Sequence, residues 1–289
     1  MSWRPVFDLA ADDAAAEVDR KFRGFAVLLF LHMSVRLWIW ALRSHPTSEE
    51  MKLLAAMIVT VLSIAALWPR WTRPAACGVA LVLFGKVLAT FPVTSNHAFL
   101  ELLAVGLLAC FDPKRREERA LALQTARWGV VIVLFYSGLQ KVLYGTYFDA
   151  QLLGSFIALK PTFAEALGPF LPHAELARLS ALPIRAGVGP FAVGSTLVVF
   201  MSNAVYAFEM IAPFFLLWRP TRASAAVAVI IFTALLQTAA REVMFGTLFV
   251  GLLLLFPRRA FNLELLPVFA GLYAALLTIR YFTPEIWFN

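Results

Sequence analysis

The sequence predicts an all-α, polytopic membrane helical bundle of about nine transmembrane helices, with its N-terminus in the cytosol. Composition is the first observation behind this reading. Of 289 residues, 61% are hydrophobic and only 15% are charged, whereas soluble domains carry about 25% charged residues. The second is that the apolar residues gather into runs near the roughly 20 residues that cross a bilayer as a helix. A membrane β-barrel would instead show alternating segments of about ten residues. Disordered, collagen-like and coiled-coil classes do not fit this composition, and two cysteines make no disulfide framework. The net charge of +7 comes from basic residues dispersed between apolar runs. Without a basic patch, nucleic acid is not an expected partner.

Taken in order, residues 1–21 mix Asp8, Asp12, Asp13, Glu17 and Asp19 with Arg20 and Lys21. They read as an amphipathic cytosolic helix entering the first span, and no cleavable signal is expected because an apolar h-region is lacking. Candidate spans follow at 23–42, 52–68, 75–92, 97–111, 128–147, 191–218, 222–239, 243–256 and 263–282. The fourth and eighth are the shortest. Basic residues set the orientation. Arg4, Arg20, Lys21, Arg23, Arg70, Arg73, Lys114, Arg115, Arg116, Arg119, Arg127, Arg219, Arg222, Arg258 and Arg259 fall on one side of a nine-span arrangement. About half as many fall on the other side: Arg43, Lys52, Lys160, Arg178, Arg185, Arg241 and Arg280. The richer side is cytosolic, which places the C-terminus outside.

Residues 148–190 form the longest non-spanning stretch, an extracytoplasmic loop. Helical apolar spacing over 149–159 and 162–167 predicts short interfacial helices, and Thr162 before Glu165 predicts a capping box. There is no repeat of 20–50 residues, so residues 1–289 are expected to form a single domain.

Ionisable groups inside spans cost about 2.5–3.5 kcal/mol each on insertion scales, so each needs a reason. Arg36, Lys86, His97, Glu101, Gln140, Lys141 and Arg241 cluster toward the outer ends of their runs. Only Glu209 falls deep toward the cytosol, on the stripe Ser202–Tyr206–Glu209–Pro213. This asymmetry predicts one outer-half cavity bounded by the third to seventh spans and roofed by 148–190. The bland alternative is local pairing: Lys86 with Glu101, Arg241 with Glu242, and Arg36 and Arg241 snorkelling to the interface. His32 would satisfy a backbone carbonyl, and Cys77 and Cys110 would be inert packing residues near the cytosolic ends of their spans. No His, Cys, Asp or Glu spacing resembles a metal site, so no metal is expected. Lys141 stands apart, because a desolvated lysine beside Tyr136, Gln140 and Tyr144 can serve as a base.

Two segments resemble a known family. Thr94-Ser95-Asn96-His97-Ala98-Phe99-Leu100 is similar to the Asn-His segment of the vitamin K-dependent γ-glutamyl carboxylases. Phe135-Tyr136-Ser137-Gly138-Leu139-Gln140-Lys141-Val142-Leu143, followed by Tyr147-Phe148-Asp149, resembles their Gly-x-x-Lys-Leu segment. Phe208-Glu209-Met210-Ile211-Ala212-Pro213 looks like the Glu-x-x-x-Pro helix of the wider bacterial HTTM family. The resemblance covers residues 20–282. It implies that Lys141 is a base acting on a reduced quinone, vitamin K hydroquinone-like, with His97 assisting. The carboxylases carry a lumenal domain beyond their membrane region, whereas this sequence ends at Asn289; the quinone half of their chemistry needs the bundle alone.

The resulting expectation is an HTTM-type protein of the bacterial inner membrane, a quinone-dependent lyase or oxidoreductase. Lys141 and His97 would be catalytic, while Asn96, Glu101, Tyr136, Gln140, Lys86, Arg241 and Glu209 would line the site. Its partners would be membrane lipid and a peptide or small hydrophobic substrate. The alternatives are a non-enzymatic accessory that binds peptide or lipid, and a small transporter.

Overall fold

The computed structural model describes residues 9, 14–42, 49–92, 96–182, 191–257 and 265–282, and every regular element among them is helical. The helices are α1 (Ala15–Ala41), α2 (Glu49–Ala65), α3 (Thr72–Thr90), α4 (Asn96–Cys110), α5 (Arg116–Tyr144), α6 (Gln151–Leu159), α7 (Pro161–Leu167), α8 (His173–Ser180), α9 (Thr196–Leu217), α10 (Arg222–Ala240), α11 (Val243–Leu253) and α12 (Leu266–Phe282). Arg4, Asp8, Asp12, Asp13, Arg43, Thr94, Ser95, Arg185, Arg258, Arg259 and the Asn96 side chain lie outside the described residues.

Each of the nine apolar runs coincides with a helix, and α6 and α7 match the short helices expected at 149–159 and 162–167. By length and composition, α1, α3, α5, α9 and α10 are long and apolar enough to cross a membrane, while α4, α11 and α12 are shorter apolar helices. The described chain is thus all-helical and compatible with a multi-pass membrane protein. α5 begins well before its apolar run because Glu117 and Glu118 occupy its first turn, where carboxylates complement the positive end of the helix dipole.

The helices gather into two compact units, Met1–Trp128 with Thr247–Asn289, and Gly129–Gly246. In the first, α1 packs against α2, α4 and α12, and α3 packs against α2 and α4. α1 is the most deeply buried of the long helices; Phe22, Phe25, Leu29, Met33 and Leu37 are nearly inaccessible. In the second unit, α10 packs against α7 and α9, and α6 against α7 and α8. Ala150, Ile157, Phe163, Leu167, Leu171, Leu179, Val193 and Val198 form a core there. Burying so apolar a set removes it from water at about 25 cal/mol per Å2, which holds the short helices together.

The turns that open α3 and α10 are closed in a similar way. At the start of α3, Thr72 Oγ1 donates to the Ala66 carbonyl (3.1 Å), and at the start of α10, Arg222 Nε donates to the Leu216 carbonyl (3.1 Å). The Trp71 amide bonds to Trp68 O, and the Thr221 amide to Trp218 O. Buried positions of α3 are Thr72, Ala75, Ala76, Val79, Leu83 and Val87; those of α10 are Arg222, Ala225, Ala226, Val229 and Thr233. Through the fifth position the two series have the same spacing, that of one buried helical face, so α3 and α10 follow similar turns and each bury one face.

Several arginines counted as loop charges also finish helices. Arg73 Nε donates to Ala109 O near the end of α4 (3.0 Å). Arg127 donates from Nε to Leu255 O just beyond α11 (3.0 Å), and Arg222 donates to Leu216 O and Leu217 O at the end of α9. Such terminal carbonyls lack an intrahelical partner, and a cation there also suits the dipole. Arg127 is not a loop residue at all, but a buried member of α5.

Three local expectations are corrected. Thr162 caps nothing: the N-cap of α7 is Lys160, without a side-chain cap bond, and Thr162 Oγ1 donates instead to Ala239 O (2.9 Å). Pro161 opens that helix, which moves Thr162 inside it. Cys77 and Cys110 are free but exposed rather than packed. His32 bonds a tyrosine hydroxyl, described below, rather than a carbonyl.

Candidate functional site

Ser137, Gly138 and Lys141 share one face of α5, since residues three and four apart are neighbours on a helix. Gly138 brings α9 close. A Cβ there would lie 2.8 Å from Met210 Cγ and 3.0 Å from both Glu209 Cβ and the Met210 amide nitrogen, a close approach of the kind small residues permit. Glu209 is thereby carried to the lysine. Lys141 Nζ donates to Glu209 Oε2 at 2.5 Å and to Ser137 Oγ at 2.7 Å. The side chains are 16% and 6% exposed, so this ion pair is largely withdrawn from water. Pro213 lies inside α9, where its missing N–H frees the carbonyl of Glu209.

The turn after α5 closes over the pair. Gly145 has φ +70, a conformation that glycine adopts without strain. α9 then holds the turn from the side: Ser202 Oγ donates to Tyr147 O (2.7 Å), and Asn203 Nδ2 donates to Phe148 O (3.0 Å). Tyr206 donates to Asn203 Oδ1 (2.8 Å) and meets Phe148 edge-to-face at 5.5 Å. The Tyr147 ring consequently lies 5.4 Å from Lys141 Nζ, within cation–π range.

A second cluster is built in the first unit. Arg36 Nε donates to Glu101 Oε1 at 3.1 Å, and His32 Nε2 lies 3.8 Å from the same oxygen. His32 Nδ1 and the Tyr273 hydroxyl are 2.8 Å apart. His32, Glu101 and Tyr273 are almost wholly buried, and His32 Nε2 and Glu101 Oε2 make no hydrogen bond among the described residues. Lys86 Nζ lies 5.7 Å from the centre of the Trp40 ring.

The expected site residues therefore sort as follows. Lys141 and Glu209 come together, which corrects their assignment to different depths. Glu101 meets Arg36 rather than Lys86, and Arg36 is paired rather than snorkelled. Arg241, with φ +51 at the end of α10, pairs with Glu165 at 2.8 Å rather than with Glu242. Tyr136 and Gln140 are exposed on α5. Half-buried His97 opens α4 in the first unit. Sequence reasoning did not assign Tyr273, Trp40 or Lys52 to any site. Tyr273 is 241 residues from its partner His32, and no spacing rule reaches that far. Among the described residues no group of three or more His, Cys, Asp or Glu could hold a metal ion.

Comparison with protein families, with curated proteins and with solved structures found no match.

Proposed function

We propose that the protein is an HTTM-type integral membrane protein that uses Lys141 and Glu209 for proton transfer on a hydroxyl-bearing, quinone-like amphiphile. The observation that supports this reading is the 2.5 Å Lys141–Glu209 contact, carried by two apolar helices. A buried ion pair is costly to assemble, and ionisable groups inside apolar helices mark functional sites by default. The pair can take up one proton from a ligand hydroxyl. The O–H bond breaks, the proton ends on the Glu209 carboxylate, and the ligand oxyanion is left beside the Lys141 ammonium. Two of the three ammonium protons are already directed to Ser137 and Glu209, and the third can hold that oxyanion. The lysine base inferred from the carboxylase-like segment thus becomes a lysine–carboxylate couple. The proposal retains nine spans, a cytosolic N-terminus, and His97 as an assisting group, with Asn96, Gln140, Tyr136, Glu101, Lys86 and Arg241 as further candidates.

The test is lipid mass spectrometry of the detergent-purified protein, followed by absorbance titration with a reduced quinone. Bound quinone or isoprenoid, and loss of any ionised-quinol spectrum in Lys141→Met and Glu209→Gln, are the expected results. Methionine removes the ammonium that holds the oxyanion, and glutamine removes the carboxylate that takes its proton. If wild type carries no such ligand and leaves the quinol spectrum unchanged, the proposal fails.

A second reading, a non-enzymatic membrane accessory that binds lipid or peptide, is favoured by the pairing itself. An ammonium already bonded to a carboxylate and a hydroxyl serves equally as a fixed structural tie. A co-purifying polypeptide without bound quinone would select it.

A further inference from the structure

His32, Arg36 and Trp40 follow one another at single-turn intervals along α1, so they form one stripe. At its end three helix termini converge. Trp40 is in the last turn of α1, Lys52 is in the first turn of α2, and Lys86 is one turn from the end of α3. The Lys52 and Lys86 ammonium groups lie 5.8 Å and 5.7 Å from the centre of the same Trp40 ring. Lys52 is only 9% exposed, so it is held in place rather than extended into solvent.

Among the described side chains, which do not include that of Glu49, the charges here do not balance. Neither lysine amine forms an ion pair or donates a hydrogen bond among the described residues. The carboxylate nearest along the stripe, Glu101, is engaged by Arg36 at 3.1 Å. Glu50, two residues from Lys52 and exposed, faces another side of α2. An indole face attracts cations but does not neutralise them, and two ammonium groups beside one ring, that of Lys52 nearly buried and that of Lys86 half-buried, favour an anion. A tryptophan at the end of an apolar helix marks the interfacial level of a bilayer, where phosphate groups are the abundant anions. Ammonium groups bind phosphate through short, charge-assisted hydrogen bonds.

We propose that Trp40, Lys52 and Lys86 form a binding site for a phosphate anion. The chemistry is shared by an anionic phospholipid headgroup and by free phosphate. The site lies wholly within the first unit and stands independently of the Lys141–Glu209 reading.

The full-length protein in detergent micelles is titrated with brominated phosphatidylglycerol and, separately, brominated phosphatidylcholine, reading tryptophan fluorescence. Wild type is expected to show quenching selective for the anionic lipid, and Trp40→Phe to lose that component. Lys52→Gln/Lys86→Gln is expected to shift half-quenching by about tenfold, since bonds to a charged group are being removed. Inorganic phosphate added at constant ionic strength separates the sources: reversal of quenching, or a Trp40-dependent signal with phosphate alone, assigns a soluble anion. Resistance to it assigns the lipid headgroup. The site is overturned if wild type shows neither anion-selective quenching nor a Trp40-dependent response to phosphate. The comparison of wild type with Trp40→Phe decides this even if the double lysine variant does not fold.

Discussion

At the residue scale, the Lys141–Glu209 contact sets the cost of substitution. Glu209→Gln leaves an ammonium in a largely buried place without its counter-charge, and breaking a buried pair from one side costs about 3–5 kcal/mol. The low end is expected, because Lys141 keeps some exposure. The double variant Lys141→Met/Glu209→Leu should recover most of that loss, since both charges go together. Thermal unfolding in detergent reads both effects; equal losses in the single and double variants would show that the ion pair contributes no coupling. In the other cluster, Tyr273→Phe removes the hydroxyl that meets His32 Nδ1. A buried ring nitrogen left without a partner costs about 1–3 kcal/mol, and an unchanged melting temperature would mean that the bond contributes nothing. Lys141 and Glu209 were both legible in the sequence as misfits in apolar helices. Their partnership was not, because each position along a span implied a different depth.

At the element scale, a glycine decides which groups meet. At Gly138 α9 approaches α5 closely within the second unit, with the Met210 amide nitrogen only 3.0 Å from an added Cβ. Gly138→Val should force the helices apart and cost about 1–3 kcal/mol by overpacking. It should also loosen the Lys141–Glu209 bond, so a following Glu209→Gln should cost less than it does in wild type. Additive losses would argue that Gly138 does not position Glu209. The turns before α3 and α10 resemble each other at the same scale. The polar donors that close the two turns are different residues, Thr72 and Arg222, and so the similarity resides in burial spacing rather than residue identity. A search for recurring residues over short periods passes over it.

For the molecule as a whole, the basic-residue bias predicts residues 114–119 in the cytosol and 154–182 outside. Single cysteines at those two places, in a background without Cys77 and Cys110, should label from opposite faces with an impermeant maleimide. Labelling from one face would overturn the nine-span arrangement. The native thiols supply a separate check. Both are free and exposed, so intact mass should show two alkylations without reductant in the detergent-solubilised protein. A thiol that reacts only after reduction would contradict that state.

The helical class, and a helix at each of the nine apolar runs among the described residues, were legible in the sequence alone. Apolar runs report directly how much of a segment must leave water, and a helix satisfies its own backbone hydrogen bonds wherever it lies. Charged turns marked where those helices end, though not that Arg73, Arg127 and Arg222 would bond the terminal carbonyls. What only the tertiary structure decided is which polar side chain meets which: Lys141 with Glu209, Arg36 with Glu101, His32 with Tyr273, and Lys52 and Lys86 around Trp40. Helical periodicity states the face and height of a residue on its own helix. The partner depends on how neighbouring helices rotate and how closely they approach, and those are set by small residues and packing between segments far apart in the chain.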